Sequence, residues 1–127
     1  MLSPRLSQRQ TLQLDAVASG GLGLLLAVLA PLADDQLGLP TGLSIGLGIF
    51  LVAWAAFVGW ASTRDSAALT KEIALLNVGW VVASLVFIAA QVVDLTGLGV
   101  GFVVLQALAV TGFVVLQWTG VSKPVTA

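Results

Sequence analysis

Asp15 and Ser19 stand four residues apart, Asn77, Ser84 and Gln91 recur every seven, and Gln106 and Gln117 are eleven apart, all within or beside long apolar stretches. Carboxylates, amides and hydroxyls exchange hydrogen bonds, and a carboxylate can also hold a proton or a cation. Little else is available for chemistry. Histidine, cysteine and tyrosine are absent from the 127 residues, which removes disulfides, thiol nucleophiles, imidazole acid–base catalysis and most haem, zinc or copper ligation. The remaining residue types form no nucleophile–base pair, metal-ligand cluster or phosphate loop. The expectation is a protein that is not an enzyme and uses no cofactor or metal.

At 100° per residue, Asn77, Ser84 and Gln91 lie within about 40° of one another on a helix. Such a stripe suits the left-handed crossing common in membrane bundles. Polar groups inside membrane spans are costly and turn toward the bundle interior. Two readings of the row follow. Its groups bond across helices and fix their register, at about 0.6–2 kcal/mol each, or they line a polar path or binding cleft between the third and fourth spans. Gln106, near the middle of its span, is the best single marker for the cleft. Asp15 admits three readings: an interfacial carboxylate neutralised by Arg9 or lipid, a structural hydrogen bond to another helix, or a titratable proton or cation site.

The elements that must position these groups are set by the charges. Uncharged runs of 18, 28, 21 and 28 residues separate Asp15 from Asp34, Asp35 from Arg64, Glu72 from Asp94, and Asp94 from Lys123. A bilayer core about 30 Å thick needs roughly 20 apolar residues at 1.5 Å each. Apolar residues make up 58% of the chain, mean hydropathy is +1.06, and both lie outside the range of soluble domains. The prediction is an all-α, up-down-up-down four-helix transmembrane bundle in one membrane domain, residues 1–127, with spans at about 12–33, 40–61, 73–93 and 98–118. Arg5, Arg9, Arg64, Lys71 and Lys123 all fall on one side, and the other two loops hold only Asp34, Asp35 and Asp94. That bias places both termini in the cytoplasm, with Trp60 and Trp118 at headgroup level on that side. No basic run is present, so no nucleic-acid partner is expected. A competing outline, Ala30-Pro31-Leu32-Ala33 as a signal-peptide cleavage site, would leave three spans, but Pro31 is badly placed for it.

Local signals refine the ends. Ser3-Pro4 reads as an N-cap followed by proline in the first turn, and Pro31 is expected to end or kink the first span before a turn at Asp34–Gly38. Asp65, Ser66 and Thr70 are candidate caps for the third span. Helices in lipid approach through small side chains, and candidate packing residues are Ala16, Gly20, Gly23 and Ala27 in the first span, Gly42 and Gly46 in the second, and Gly79 and Ala83 in the third. A weak repeat links Thr41-Gly42-Leu43-x-x-Gly46 to Thr96-Gly97-Leu98-x-x-Gly101, and Arg9-x5-Asp15 to Lys71-x5-Asn77. Two tandem hairpins would then be related by an axis along the membrane normal, bringing Asp15 and Asn77 to matching depth and within reach of each other.

Four spans, this length and an acid in span one resemble, in outline, the small multidrug resistance transporters. Their aromatic-rich pattern is missing: Asp15 is followed by Ala16-Val17-Ala18-Ser19-Gly20-Gly21. Dimeric fluoride channels are similar in size, without their Thr-Phe-Ser-Thr-Phe run here. The stretch Leu75-Leu76-Asn77-Val78-Gly79-Trp80-Val81-Val82-Ala83-Ser84 is similar to uncharacterised four-helix membrane proteins of high-GC bacteria, a resemblance that implies no activity. The expected role is a structural or accessory subunit of the bacterial inner membrane, in contact with lipid and with a second copy or a larger complex. The alternative is a small dimeric carrier or channel using Asp15 and the polar groups of spans three and four.

Overall fold

A computed structural model describes residues 7–122, with the side chains of 120–122 left aside. The described residues form five helices and no strand: α1 (Gln8–Val28), α2 (Ala30–Leu37), α3 (Thr41–Ala61), α4 (Ala67–Ala89) and α5 (Gly97–Ser122). All but α2 are long and apolar enough to cross a membrane. This is the expected all-α four-helix bundle. Its basic end carries Arg9, Arg64 and Lys71, and its acidic end Asp34, Asp35 and Asp94.

Local chemistry explains where the helices begin and end. The start expected at Ser3-Pro4, together with Arg5, Lys123 and the tail after it, lies outside the described residues. Within them, α1 is capped by Ser7, whose Oγ accepts from the Gln10 amide at 3.2 Å while Gln10 Oε1 accepts from the Ser7 amide at 2.9 Å. This reciprocal box satisfies two otherwise orphaned donors. The first span breaks at Leu29, earlier than expected, and Pro31 becomes the second residue of α2, where its missing N–H costs nothing. Asp34–Leu37, expected as a turn, therefore remain helical, and the reversal comes at Gly38 with φ +77°. Asp34 Oδ2 then accepts from the amide and hydroxyl of Thr41 at 3.1 and 3.0 Å, capping α3. Of the caps considered for the third span, Ser66 serves, accepting from the Leu69 amide at 3.1 Å.

The third span ends earlier than the sequence suggests, and begins earlier too. Its helix stops at Ala89 and Gln91 sits beyond it at φ +51°. The reversal consumes these residues because Thr96 is tied to the acidic end of the first hairpin, through Leu37 O at 3.0 Å and Gln36 O at 2.7 Å. Thr96 Oγ1 also accepts from the Gly99 amide at 3.0 Å and caps α5. Any side chain at Gly99 would collide with Leu37 O, so this glycine is required for the two loops to meet.

Close helix contact is concentrated between α1 and α3. A Cβ on Gly23 would stand 2.7 Å from Gly48 O, and one on Gly48 would stand 2.8 Å from the Ala27 amide nitrogen. Gly20 meets Ala55 Cβ, and Ala16 packs on the cluster of Leu12, Val58, Ala61 and Ile73. The small-residue row of span one thus faces α3. On α3 the partner is Gly48; Gly42 and Gly46 point into open space, as does Gly79 on α4. Ala83 is also exposed rather than packed between helices. Spacing of four alone does not reveal which helix face a partner will occupy.

The hairpins α1–α3 and α4–α5 join mainly along α1 and α5, whereas α3 and α4 touch at few points. The two sides of the bundle are therefore unequal, closed between α1 and α5 and open between α3 and α4. Gly48→Ala should lower stability in detergent by about 1–3 kcal/mol through overpacking, whereas Gly101→Ala, with open space at its Cβ, should cost nothing measurable. Thermal unfolding of the two variants tests this; equal midpoints would refute the close α1–α3 contact.

Candidate functional site

Where the hairpins meet, one carboxylate gathers three helices. Asp15 on α1 is 1% exposed, Gln117 on α5 is 0% and Asn77 on α4 is 5%. Asp15 Oδ2 accepts from Asn77 Nδ2 at 2.8 Å and from Gln117 Nε2 at 2.7 Å, and Oδ1 accepts from Ser19 Oγ at 3.0 Å. Asn77 Nδ2 spends its other hydrogen on Gln117 Oε1 at 3.3 Å. The orientation of both amides follows from charge: only an NH₂ group can face a carboxylate. Among the described residues no Lys or Arg is within ion-pair distance of Asp15, and Arg9 is exposed. The interfacial reading of Asp15 does not match this burial.

Helical periodicity explains the convergence. Ser19 is one turn beyond Asp15 on the same face. The Asp15–Asn77 contact spans 62 residues, the offset at which the sequence places these two in matching positions. Its eleven-residue spacing puts Gln117 on the face of Gln106 without marking it as a site residue. The signal that singles it out is an amide within an apolar helix, which must find a partner.

A second polar group lies toward the acidic end. Trp80 Nε1 donates to Gln106 Oε1 at 2.7 Å, and Gln106 Nε2 donates to Ser84 Oγ at 2.9 Å and to Val103 O at 2.9 Å. Ser84 in turn donates to Trp80 O at 2.8 Å. The Gln106 amide is therefore satisfied without water. Trp80, absent from the sequence candidates, joins this network to α3 by stacking on Phe50, with ring centroids 5.9 Å apart and an interplanar angle of 10°. Of the seven-residue row, Asn77 and Ser84 belong to the interior, each in a different network. Gln91 does not; it lies exposed beyond the end of α4, because the stripe requires a helix that stops at Ala89.

Two cavities flank the Phe50–Trp80 contact in the gap between α3 and α4. One, of about 270 Å³, is walled by Phe50, Trp54, Leu76 and Trp80, with Ser19 and Asn77 also in its lining. The other, of about 220 Å³, is lined by leucines of α1 and α3 with Ser84 and Gln106 at its edge. Trp80 and Leu51 border both. Among the described residues no group of three or more acidic, histidine or cysteine side chains is placed to hold a metal ion, and no fully buried side-chain nitrogen or oxygen lacks a hydrogen-bond partner.

Four long apolar helices around a satisfied polar interior define a small multi-pass, all-helical membrane protein. Comparison with protein-family models, with curated proteins and with solved structures finds no match.

Truncating either amide leaves the buried carboxylate short of a donor, at a cost of about 1–3 kcal/mol. Asn77→Ala and Gln117→Ala should each lose that much stability in detergent, and Gln91→Ala less than about 0.5 kcal/mol. Unfolding midpoints that fall equally in all three variants would contradict the assignment of Asp15 as the centre.

Proposed function

We propose that this protein is a non-enzymatic structural or accessory subunit of a bacterial inner membrane, with both termini in the cytoplasm and no cofactor. The observation that carries this reading is the self-satisfied interior. The one acidic side chain buried among the spans bonds to Ser19, Asn77 and Gln117, and so ties α1, α4 and α5 together. A clamp of this kind fixes register rather than performing catalysis. Exposed small residues support a partner in the membrane: Gly42 and Gly46 on α3 face open space, where a helix of a second copy or of another subunit can approach closely.

A carrier or channel is the second reading, and one observation favours it. Asp15 is a buried carboxylate with no cation beside it among the described residues, and two of its partners, Ser19 and Asn77, border a cavity in the gap between hairpins. Intramembrane acids of this kind recur on ion and proton pathways. Gln106 and Ser84 at the edge of the neighbouring cavity would continue the polar lining.

The chain contains no cysteine, so a single introduced thiol reports contact directly. Gly46→Cys in native membranes should give a cross-linked adduct, either a dimer or a product with a larger subunit. Retention of the monomer alone would count against a partner at this face. Liposomes separate the two readings: solute-coupled proton flux lost in Asp15→Asn would favour the carrier, and silence the subunit. Reporters active only outside the cytoplasm should respond when fused near Gln36 or Thr96 and not near Ala67; the reverse pattern would invert the orientation.

A further inference from the structure

The smaller cavity, of about 220 Å³, is bordered by all four long helices toward the acidic end of the bundle. Three polar side chains stand in its lining, Trp80, Ser84 and Gln106, and each has already given its hydrogens away. Trp80 Nε1 donates to Gln106 Oε1, Gln106 Nε2 donates to Ser84 Oγ and Val103 O, and Ser84 Oγ donates to Trp80 O. Among the described residues no charged side chain lines the space. Water held in a cavity needs several polar partners, and this wall keeps no side-chain hydrogen for it. The fitting occupant asks for no hydrogen bond along the length it buries.

Shape narrows the choice. Leu43, Leu47 and Leu51 stand four residues apart on α3, with Leu39 just before the helix. At 1.5 Å per residue the three helical leucines extend about 12 Å, and half of a bilayer core about 30 Å thick is about 15 Å. The cavity thus runs from the middle of α3 toward the acidic end, over most of one leaflet. At its outer end Leu39 is 2% exposed and packs in one cluster with Leu37 and Leu95, where Thr96 ties two loops together. That end is closed to water. Along the side, α3 and α4 touch at few points, and the lining there includes half-buried Leu43, Leu47 and Phe87 and exposed Ala83. The opening faces hydrocarbon.

A void of this size forfeits dispersion contacts for every side chain around it. We propose that the cavity holds one acyl chain of a bilayer lipid from the leaflet at the acidic end. The chain lies along Leu43, Leu47 and Leu51, and its headgroup stays outside the bundle, level with Asp34 and Asp94. A dry cavity of about 150 Å³ accepts a benzene ring, so about 220 Å³ takes a segment of several methylenes. Trp80, fixed by Gln106 and Phe50, separates the chain from the clamp around Asp15. The inference goes beyond both readings of function, because it needs a bilayer but neither a partner nor transport.

The test uses the full chain in vesicles of phosphatidylcholine carrying a photoreactive diazirine midway along one acyl chain. Illumination should label Leu47, Leu51 and Phe87 more heavily than the lipid-facing Leu105 and Leu108 of α5. Leu47→Trp fills the space and should abolish that excess at Leu51 and Phe87, whereas Ile45→Trp, outside the lining on the same helix, should preserve it. Native mass spectrometry from detergent should show one retained phosphatidylcholine, held at least about five-fold more weakly by Leu47→Trp. The labelling pattern of the unaltered chain decides the matter even if Leu47→Trp fails to fold. Labels confined to Leu105, Leu108 and other outward residues would refute the site. A dimer that carries no lipid and shields Leu47 from the label would give the gap to a second copy instead. Labelling of the cavity by a free diazirine-bearing alkane, but not by the phospholipid, would overturn the proposal in favour of a detached apolar molecule.

Discussion

The bundle depends on what is done with one negative charge. A carboxylate removed from water and left unpaired is among the most expensive groups a helix can bury. Asp15 is nearly inaccessible, and the chain answers with three donors from three positions: a hydroxyl one turn away on α1, an amide on α4 and an amide on α5. Each donor reaches it only if its helix sits at one depth and one rotation. Between apolar helices in lipid there is no hydrophobic drive to set that register. The polar contact does so, because every alternative register leaves a charge and two amides unsatisfied.

The hairpins are made differently from the joint between them. Within the first, Gly23 and Gly48 let α1 and α3 come into backbone contact, so the contact is steric and short-range. Across the joint the contacts are directional and few. Bundles assembled this way combine stiff halves with an interface governed by hydrogen bonds, and space remains wherever those bonds do not require contact. Here the remainder is the gap between α3 and α4, crossed by the Phe50–Trp80 stack and flanked by two cavities. Trp80 is held on one side by its bond to Gln106 and on the other by Phe50, which keeps the two spaces distinct.

The ends of the bundle follow ordinary aqueous rules. Ser7, Ser66, Thr96 and Asp34 satisfy helix N-termini, and left-handed backbone at Gly38 turns the chain. At the basic end the Arg64 guanidinium lies 5.3 Å from the ring centre of Trp60, and the Lys71 ammonium 5.5 Å from that of Trp118. Indole and cation share the zone where a membrane surface would lie, where each keeps its polar part wet and its apolar part covered.

The sequence by itself determined the helical class, the number of long apolar helices, the approximate limits of α3 and α5, and the small-residue row on α1. Each is a consequence of local composition: length against bilayer thickness, periodicity along one helix, punctuation by glycine and proline. The 62-residue offset also pointed to Asp15 and Asn77 as neighbours, since a repeat carries spatial information across the chain. Tertiary structure decided the rest. It recruited Gln117 and Trp80, chose Gly48 over Gly42 and Gly46 as the contact glycine, and ended α4 before Gln91. It also carried α2 through residues that composition marked as a turn. In each case the outcome rests on which face meets which neighbour, or on where a distant loop is tied. Those relations between helices are invisible to spacing along one of them, because an apolar helix in lipid is free to rotate until a specific partner stops it.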